Sequence, residues 1–239
     1  MILDIDAGNS RIKWRLSGNG RVLAQDSQPT VELASGETLL LPETAAIDEV
    51  RLASVAGSKV VAALQKQFAG LLKVAQVSPS AGGVTCGYKQ PDRLGVDRWL
   101  ALVAAYQQFQ QAVLVVDAGS AMTMDLVGPK GEHLGGYIVP GLRLMADALW
   151  QGTRDVKVTS GDFENMLVPG TNSQQAVDRG CLLVAVSAVE NLASQYPAHI
   201  LLTGGDAQHL ADALSLDHSH RPDLVLDGLA IADINFTAS

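Results

Sequence analysis

One short pattern occurs twice in this chain and limits its folding more than any other feature. In the first copy, Ile2-Leu3-Asp4-Ile5-Asp6-Ala7-Gly8-Asn9-Ser10 leads into Ile12, Trp14 and Leu16, which alternate with Lys13 and Arg15, and then into the turn Gly18-Asn19-Gly20. In the second, Val113-Leu114-Val115-Val116-Asp117-Ala118-Gly119-Ser120-Ala121 leads into Met122 to Val127 and the turn Gly128-Pro129-Lys130-Gly131. Apolar residues at every second position mark a half-buried strand, and an unbroken apolar run marks a fully buried one. Each copy therefore reads as strand, Asp-x-Gly break, strand and glycine turn. Two copies imply a duplicated unit, because a solenoid would need three or more shorter repeats. The two halves are expected at 1–111 and 112–239.

Helical segments fall between the strands. Val60, Val61, Leu64, Phe68, Leu71 and Leu72 share one helical face, and Val96, Trp99, Val103 and Tyr106 share another in a helix expected over 92–110. Further helices are expected over 142–150 and 176–192 and from Asp206, with strands over 51–55, 72–77 and 199–202. Strands alternating with helices make this an α/β chain. The segment from about residue 25 to 49 is polar and poorly periodic. Trp14, Trp99 and Trp150 sit at strand or helix positions that read as core packing.

With 239 residues, 47% hydrophobic and 18% charged, the chain can bury a real core. The formal net charge of −8 argues against a nucleic-acid partner held by general electrostatics. Cys86 and Cys181 are isolated and lack metal-ligand spacing, which fits a reducing compartment without a disulfide framework. The N-terminus shows no basic stretch followed by an apolar one, and no apolar run approaches the roughly 18 residues a membrane span needs. A cytoplasmic protein with no membrane partner is expected.

A tight hairpin with an aspartate on its shoulder suits phosphate chemistry. The glycine admits close backbone approach, and consecutive N–H groups form a concavity for anions. Asn9, Ser10, Arg11 and Lys13 add donors and positive charge, while Asp6 would face phosphates only through a metal ion or its water shell. One copy alone is better explained as an ordinary hairpin with a polar turn; the repeat at Asp117 reverses that preference in favour of the phosphate reading. His199-Ile-Leu-Leu-Thr203-Gly204-Gly205-Asp206 adds a strand, a glycine pair and a helix start, a geometry that turns bare backbone toward a ligand. Neither Gly-x-x-x-x-Gly-Lys-Ser/Thr nor Gly-x-Gly-x-x-Gly occurs, which disfavours a P-loop kinase or a Rossmann dehydrogenase. His218-Ser219-His220 lies in a polar segment and reads as solvated.

Between the repeats, Tyr88-Lys89-Gln90-Pro91-Asp92-Arg93-Leu94-Gly95-Val96-Asp97-Arg98 enters the long helix. Asp97 lies in or near the first turn, where the helix dipole favours a carboxylate. On spacing alone it is either a structural first-turn acid or a base that accepts a hydroxyl proton late in phosphoryl transfer. Arg98 beside it suits an anionic substrate or a transferring phosphoryl group.

Together these segments resemble the type III pantothenate kinases. The matching residues are Asp6-x-Gly8-Asn9-Ser10 with Lys13, Tyr88 with Gly95-Val96-Asp97-Arg98, Asp117-Ala118-Gly119-Ser120-Ala121, Gly135-Gly136-Tyr-Ile-x-Pro140-Gly141, Asn172-Ser173-x-x-Ala176 and Leu202-Thr-Gly204-Gly205-Asp206. They run in family order over nearly the whole chain. The resemblance implies a duplicated ribonuclease-H-like, actin-like ATPase fold with mixed central sheets. It also implies a homodimer with the active site at the subunit interface. The activity it implies is transfer from ATP, with Mg2+, to pantothenate, the first step of coenzyme A synthesis. By the same resemblance Asp97 is the proton acceptor, and Tyr88, Gly95, Val96, Asp97, Arg98 and Ser173 bind pantothenate. Asp6, Ala7, Gly8, Asn9, Ser10, Arg11, Ile12, Lys13 and Ser120 bind ATP, and Asp117 holds a monovalent cation, K+ or NH4+. Serine stands at 120 and 173 where the family often has threonine, keeping the hydroxyl and losing the methyl. A related actin-like kinase with another small hydroxylated substrate, or a non-catalytic accessory protein, are the alternatives; the intact Asp6, Asp97 and Asp117 argue against the second.

Overall fold

The computed structural model describes residues 1–42, 46–154, 156, 163 and 166–238. The chain divides into two compact units, Met1–Gln107 with Asp223–Ser239, and Gln108–Pro222.

The first unit opens with β1 (Ile2–Ala7), β2 (Arg11–Gly18) and β3 (Arg21–Pro29), followed by the short α1 (Thr30–Ala34). Then come β4 (Glu49–Ser54), α2 (Ser58–Gln67), β5 (Leu72–Gln76), the two-residue strands β6 (Ser80–Ala81) and β7 (Val84–Thr85), and α3 (Val96–Phe109). β1 runs antiparallel to β2 and parallel to β4. Its alternation is the reason the sheet packs on one side. Leu3, Ile5 and Ala7 enter a core with Ile12, Trp14, Leu16, Val60 and Leu64. A fully buried Leu or Ile contributes about 1.5–3 kcal/mol, so this face holds the unit together. Asp4 and Asp6 lie on the opposite face of β1, as the two-residue period requires.

The second unit contains β8 (Val113–Ala118), β9 (Ala121–Val127), β10 (His133–Pro140), α4 (Leu142–Gly152), α5 (Ser173–Gln195), β11 (His199–Thr203), α6 (Ala207–Ala213) and β12 (His218–His220). Its strand order is β10-β9-β8-β11-β12. The first unit has β3-β2-β1-β4-β5 in the same sequence of antiparallel and parallel pairings. Two mixed sheets of identical order are the duplicated ribonuclease-H-like architecture that the Asp-x-Gly repeat implied.

From Asp223 the chain returns to the first unit, where α7 (Leu224–Leu229) and β13 (Asn235–Ala238) lie, with β13 antiparallel to β5. The division expected from sequence at 111/112 places this segment with the second half. Its placement depends on a long-range strand pairing that no local pattern announces.

Other boundaries moved for local reasons. The helix expected from residue 92 begins at Val96, preceded by a single tight turn at Pro91–Arg93. The polar stretch after Ala24 extends β3 to Pro29 and then forms α1. Trp14 and Trp99 are buried, but Trp150 is 40% exposed and does not pack as expected. The buried residues of α4 are Leu142 and Ala146.

Candidate active site

The turn after β1 is held from behind. Gly8 N–H donates to the Arg11 carbonyl at 3.0 Å, and Thr30 donates its N–H to Ser10 O at 3.0 Å and its hydroxyl to Gly8 O at 2.8 Å. The Ala7 carbonyl accepts from Val55 N–H and Ala56 N–H, both at 3.1 Å. The carbonyls of Ala7, Gly8 and Ser10 are thus taken up by the protein, while Asn9, Ser10 and Arg11 are exposed. A turn whose acceptors face inward is suited to meet an anion. Arg11 is tied to the Ser27 hydroxyl at 2.7 Å and the Ser27 carbonyl at 3.0 Å. Asp6 is half-buried and lies in register with Lys13. Thr30 was not singled out on sequence, because nothing in its polar surroundings marks a residue that braces a turn twenty positions away.

Beneath Asp6 on the same face sits a buried charge cluster. Asp4 is 1% exposed; Arg51 Nε donates to its Oδ1 at 2.6 Å, and Arg15 lies 3.8 Å from Oδ2. Arg15 also pairs with Asp227 at 2.5 Å and donates to the Leu226 carbonyl at 2.6 Å. Burial pushes the Asp4 carboxyl up, and the bonded Arg51 and nearby Arg15 pull it back down.

Tyr88, Gly95, Asp97 and Arg98 are brought together at the start of α3. Trp99 N–H donates to the Gly95 carbonyl at 3.0 Å, so Gly95 occupies the cap, and Asp97 stands inside the first turn. Asp97 Oδ1 accepts from Arg98 N–H at 2.8 Å. That carboxylate folds back over Gly95, where a Cβ would come within 2.6 Å of Oδ1, so a side chain at this position would displace the carboxylate. Arg98 is 8% exposed and donates to the Tyr88 hydroxyl at 3.1 Å, with its guanidinium 5.8 Å from the Tyr88 ring centre. A carboxylate and a guanidinium are thereby held on one helix end by backbone and ring contacts. Val96 precedes them, half-buried.

In the second unit, Asp117 ends β8 and lies in register with Thr123, as Asp6 does with Lys13. The turn is one residue shorter than the first: Ala118 pairs with Met122, whereas Ala7 pairs with Ile12. Gly119 N–H donates to Ala121 O at 3.2 Å, and Gly141 N–H, at the cap of α4, donates to Ser120 O at 3.0 Å. Gly204 closes the other side at φ +94°, where an added Cβ would come within 2.4 Å of Asp117 Oδ1 and 2.5 Å of the Ala118 carbonyl oxygen. Asp206 N–H donates to Ala118 O at 2.9 Å. Burial pushes the Asp206 carboxyl up, opposed by the charge of Arg143, 3.9 Å away, and by His209. Ser173 is exposed and is placed by the cap of α5, where Asn172 Oδ1 accepts from Gln175 N–H at 2.9 Å. Gly141, Gly204 and Asp206 belong to the glycine-rich segments visible in sequence, but their enclosure of the Asp117 turn is visible only in three dimensions.

Among solved structures, a Campylobacter jejuni protein assigned in name to the Baf family of transcriptional activators superposes with a TM-score of 0.59 at 19% identity, covering 95% of this chain and 94% of that one. A Sinorhizobium meliloti protein named for 2-dehydro-3-deoxygalactonokinase does so at 0.58 and 13% identity, covering 96% and 97%. At these identities the likeness concerns the fold alone. Fold and paired Asp-x-Gly hairpins together define the duplicated ribonuclease-H-like, actin-like fold class. The family model for type III pantothenate kinase matches residues 2–195, and the type III pantothenate kinase of Chromohalobacter salexigens is 41% identical over 242 residues, 96% of this chain and 86% of that one. The chain belongs to the type III pantothenate kinase family.

Proposed function

We propose that this protein transfers the terminal phosphoryl group of ATP to the 4′-hydroxyl of pantothenate, the first step of coenzyme A synthesis. The observation that carries the reading is the cluster at the start of α3, where Asp97 and Arg98 are fixed side by side with Tyr88 and Gly95. Asp97 takes the proton of the attacking hydroxyl as the O–P bond forms. In a loose transition state that proton leaves late, so positioning matters more than basicity. Arg98, Tyr88, Gly95, Val96 and Ser173 hold the acceptor. Residues 6–13, with the carbonyls of Ala7, Gly8 and Ser10 turned inward, cradle the phosphates of ATP, which arrives with Mg2+; Asp6 would meet that metal directly or through water. Ser120 contacts the nucleotide.

Asp117 is proposed to hold a monovalent cation. A Cβ at Gly204 would come within 2.4 Å of Asp117 Oδ1, so only a bare Cα lets the backbone approach this carboxylate so closely, and oxygen donors suit K+ or NH4+. Among the described residues no cluster of three or more His, Cys, Asp or Glu is placed to hold a metal. When bound, the cation supplies fixed positive charge near the nucleotide.

A coupled assay for ADP release tests the reading. Turnover should require pantothenate, should be supported by potassium or ammonium, and should fall in sodium at matched ionic strength. Release of ADP that ignores pantothenate would overturn the substrate, and equal rates in all three salts would overturn the cation site.

A homodimer and a cytoplasmic location complete the proposal. Leu183 and Val184 on α5 are 48% and 59% exposed, and the edge strand β10 exposes Tyr137 and Ile138, apolar surface that suits a second copy. Sedimentation is expected to give a dimer; a monomer at micromolar concentration would remove this part. Cys86 and Cys181 are free thiols, which fits a reducing compartment, and no described helix is long and apolar enough to cross a membrane.

A further inference from the structure

We infer that Asp233 is a positioning residue for the acceptor: it pins the β6–β7 turn, and that turn sets Tyr88 against Arg98. The inference rests on the assignment of Tyr88 and Arg98 to pantothenate made above, and the residues it uses all lie in the first unit.

The hairpin β6–β7 needs a hold from outside itself. Its strands are two residues each, and they pair only with one another, apart from both central sheets. A hairpin of that size is marginal at best on its own. Its loop is Gly82-Gly83, at φ +55° and +81°, the positive pair that a tight two-residue hairpin turn demands. The turn lies directly on α3. A Cβ at Gly82 would fall 2.4 Å from Val103 Cγ1, and one at Gly83 would fall 3.3 Å from Tyr106 Cε1. Ala81 and Val84 are buried beside it. A polar contact completes the seat: Gly82 N–H donates to both carboxylate oxygens of Asp233, at 3.0 and 2.9 Å.

Asp233 is carried on a braced segment. It precedes the buried Ile234 and stands between α7 and β13. α7 backs onto α3 at Gly228, where a Cβ would come within 2.4 Å of the Leu100 carbonyl oxygen. β13 pairs with β5, with Asn235 opposite Gln76. The carboxylate is therefore fixed from both sides relative to the helix on which the turn sits.

Hairpin and helix between them carry the acceptor pair. Cys86 N–H closes the hairpin base on the Pro79 carbonyl at 2.9 Å, and Tyr88 follows two residues later. Two residues of chain span at most about 7 Å, so a shift of the hairpin passes on to Tyr88. Arg98, which donates to the Tyr88 hydroxyl at 3.1 Å, lies on α3 five residues before Val103. Seating the turn on α3 thus sets Tyr88 and Arg98 relative to each other. Residues 6–13, assigned to the nucleotide, belong to β1, β2 and their turn, which the hairpin does not join. Loss of the Asp233 contact should therefore fall on the acceptor and spare ATP.

The test uses the full-length protein carrying Asp233→Ala, Asp233→Asn or Tyr88→Ala. Steady-state kinetics are measured with pantothenate and Mg-ATP varied separately, beside thermal melts. Asp233→Ala is expected to lower kcat/KM for pantothenate about tenfold, short of the roughly hundredfold that a misplacement of about 1 Å can cost, with KM for Mg-ATP unchanged. Asparagine keeps an oxygen for the Gly82 N–H, so Asp233→Asn should recover most of that loss. An unchanged kcat/KM for pantothenate in Asp233→Ala, whatever its melt, would make the contact merely structural and overturn the inference. So would an equal loss in the alanine and asparagine variants, or a matching rise in KM for Mg-ATP. Should Asp233→Ala fail to fold, Asp233→Ser, too short to reach the turn, takes its place under the same expectations. Unchanged pantothenate kinetics in Tyr88→Ala would instead remove the assignment beneath the inference.

Discussion

Replacing Asp97 by asparagine should leave the melting temperature near that of the unaltered protein and cost at least about a hundredfold in turnover on pantothenate. The structure sharpens the contest between capping and catalysis at this residue. Gly95 fills the cap, and Asp97 Oδ1 receives the Arg98 N–H at 2.8 Å from within the first turn. Asparagine keeps an oxygen for that bond and loses the negative charge, worth about 0.3–1 kcal/mol against the helix dipole, and the capacity to take a proton. An ordinary side-chain hydrogen bond of this kind is worth about 0.5–1.5 kcal/mol when removed outright, and asparagine does not remove it. A general base is worth roughly 10²–10⁴ in rate, and late proton transfer in phosphoryl transfer favours the lower part of that range. Asp97→Ala should lose both the rate and some stability, so the two variants separate the roles. ATP binding by Asp97→Asn should stay intact. A variant that retains most of its turnover would return this carboxylate to a structural part.

The architecture was legible because its signal is local and repeated. Lys13 and Arg15 alternate with Ile12, Trp14 and Leu16, and the residues around Asp117 form an unbroken apolar run, so the central hairpin of each sheet could be read directly. β10 was missed because Gly135-Gly136 resembles a turn. In the structure β10 is an edge strand whose ladder comes from β9, and an irregularity between His133 and Gly135 absorbs the glycines. β13 and α7 were misplaced because their partners, β5 for the strand and Arg15 for Leu226 and Asp227, are far away in sequence.

The candidate site was legible in a similar, partial way. Asp6, Asp97 and Asp117 stand out as carboxylates beside glycine and positive charge. Their supports do not. Thr30 bracing Gly8 and Ser10, and Arg51 holding Asp4, are ordinary polar residues in sequence and acquire meaning only through register and burial. Asp4 reads as the polar member of an alternating strand, with no sign that it is 1% exposed between two arginines.

Gly204→Ala is the other change with a large expected effect, and its neighbour supplies the control. Gly204 has φ +94°, a conformation L-residues rarely adopt, and a Cβ there would strike Asp117 Oδ1 and the Ala118 carbonyl. Backbone strain of this kind costs about 1–3 kcal/mol, and forcing a methyl into packed backbone costs a similar amount, about 1–3 kcal/mol. The Gln108–Pro222 unit should therefore lose roughly 2 kcal/mol or more, read as an earlier thermal transition. Relief can come only from displacing the Asp117 carboxylate or the β8 turn, because the other contact is backbone. A shift of about 1 Å in a group that organises the site can cost on the order of a hundredfold in rate, and the response to potassium should weaken with it. Gly205→Ala meets no atom within 4 Å and has an ordinary φ. It should alter stability by no more than about 0.5 kcal/mol. Equal stability and equal potassium response in the two variants would show that the Asp117 turn does not depend on the bare Cα at Gly204, and the proposed cation site would lose its structural basis.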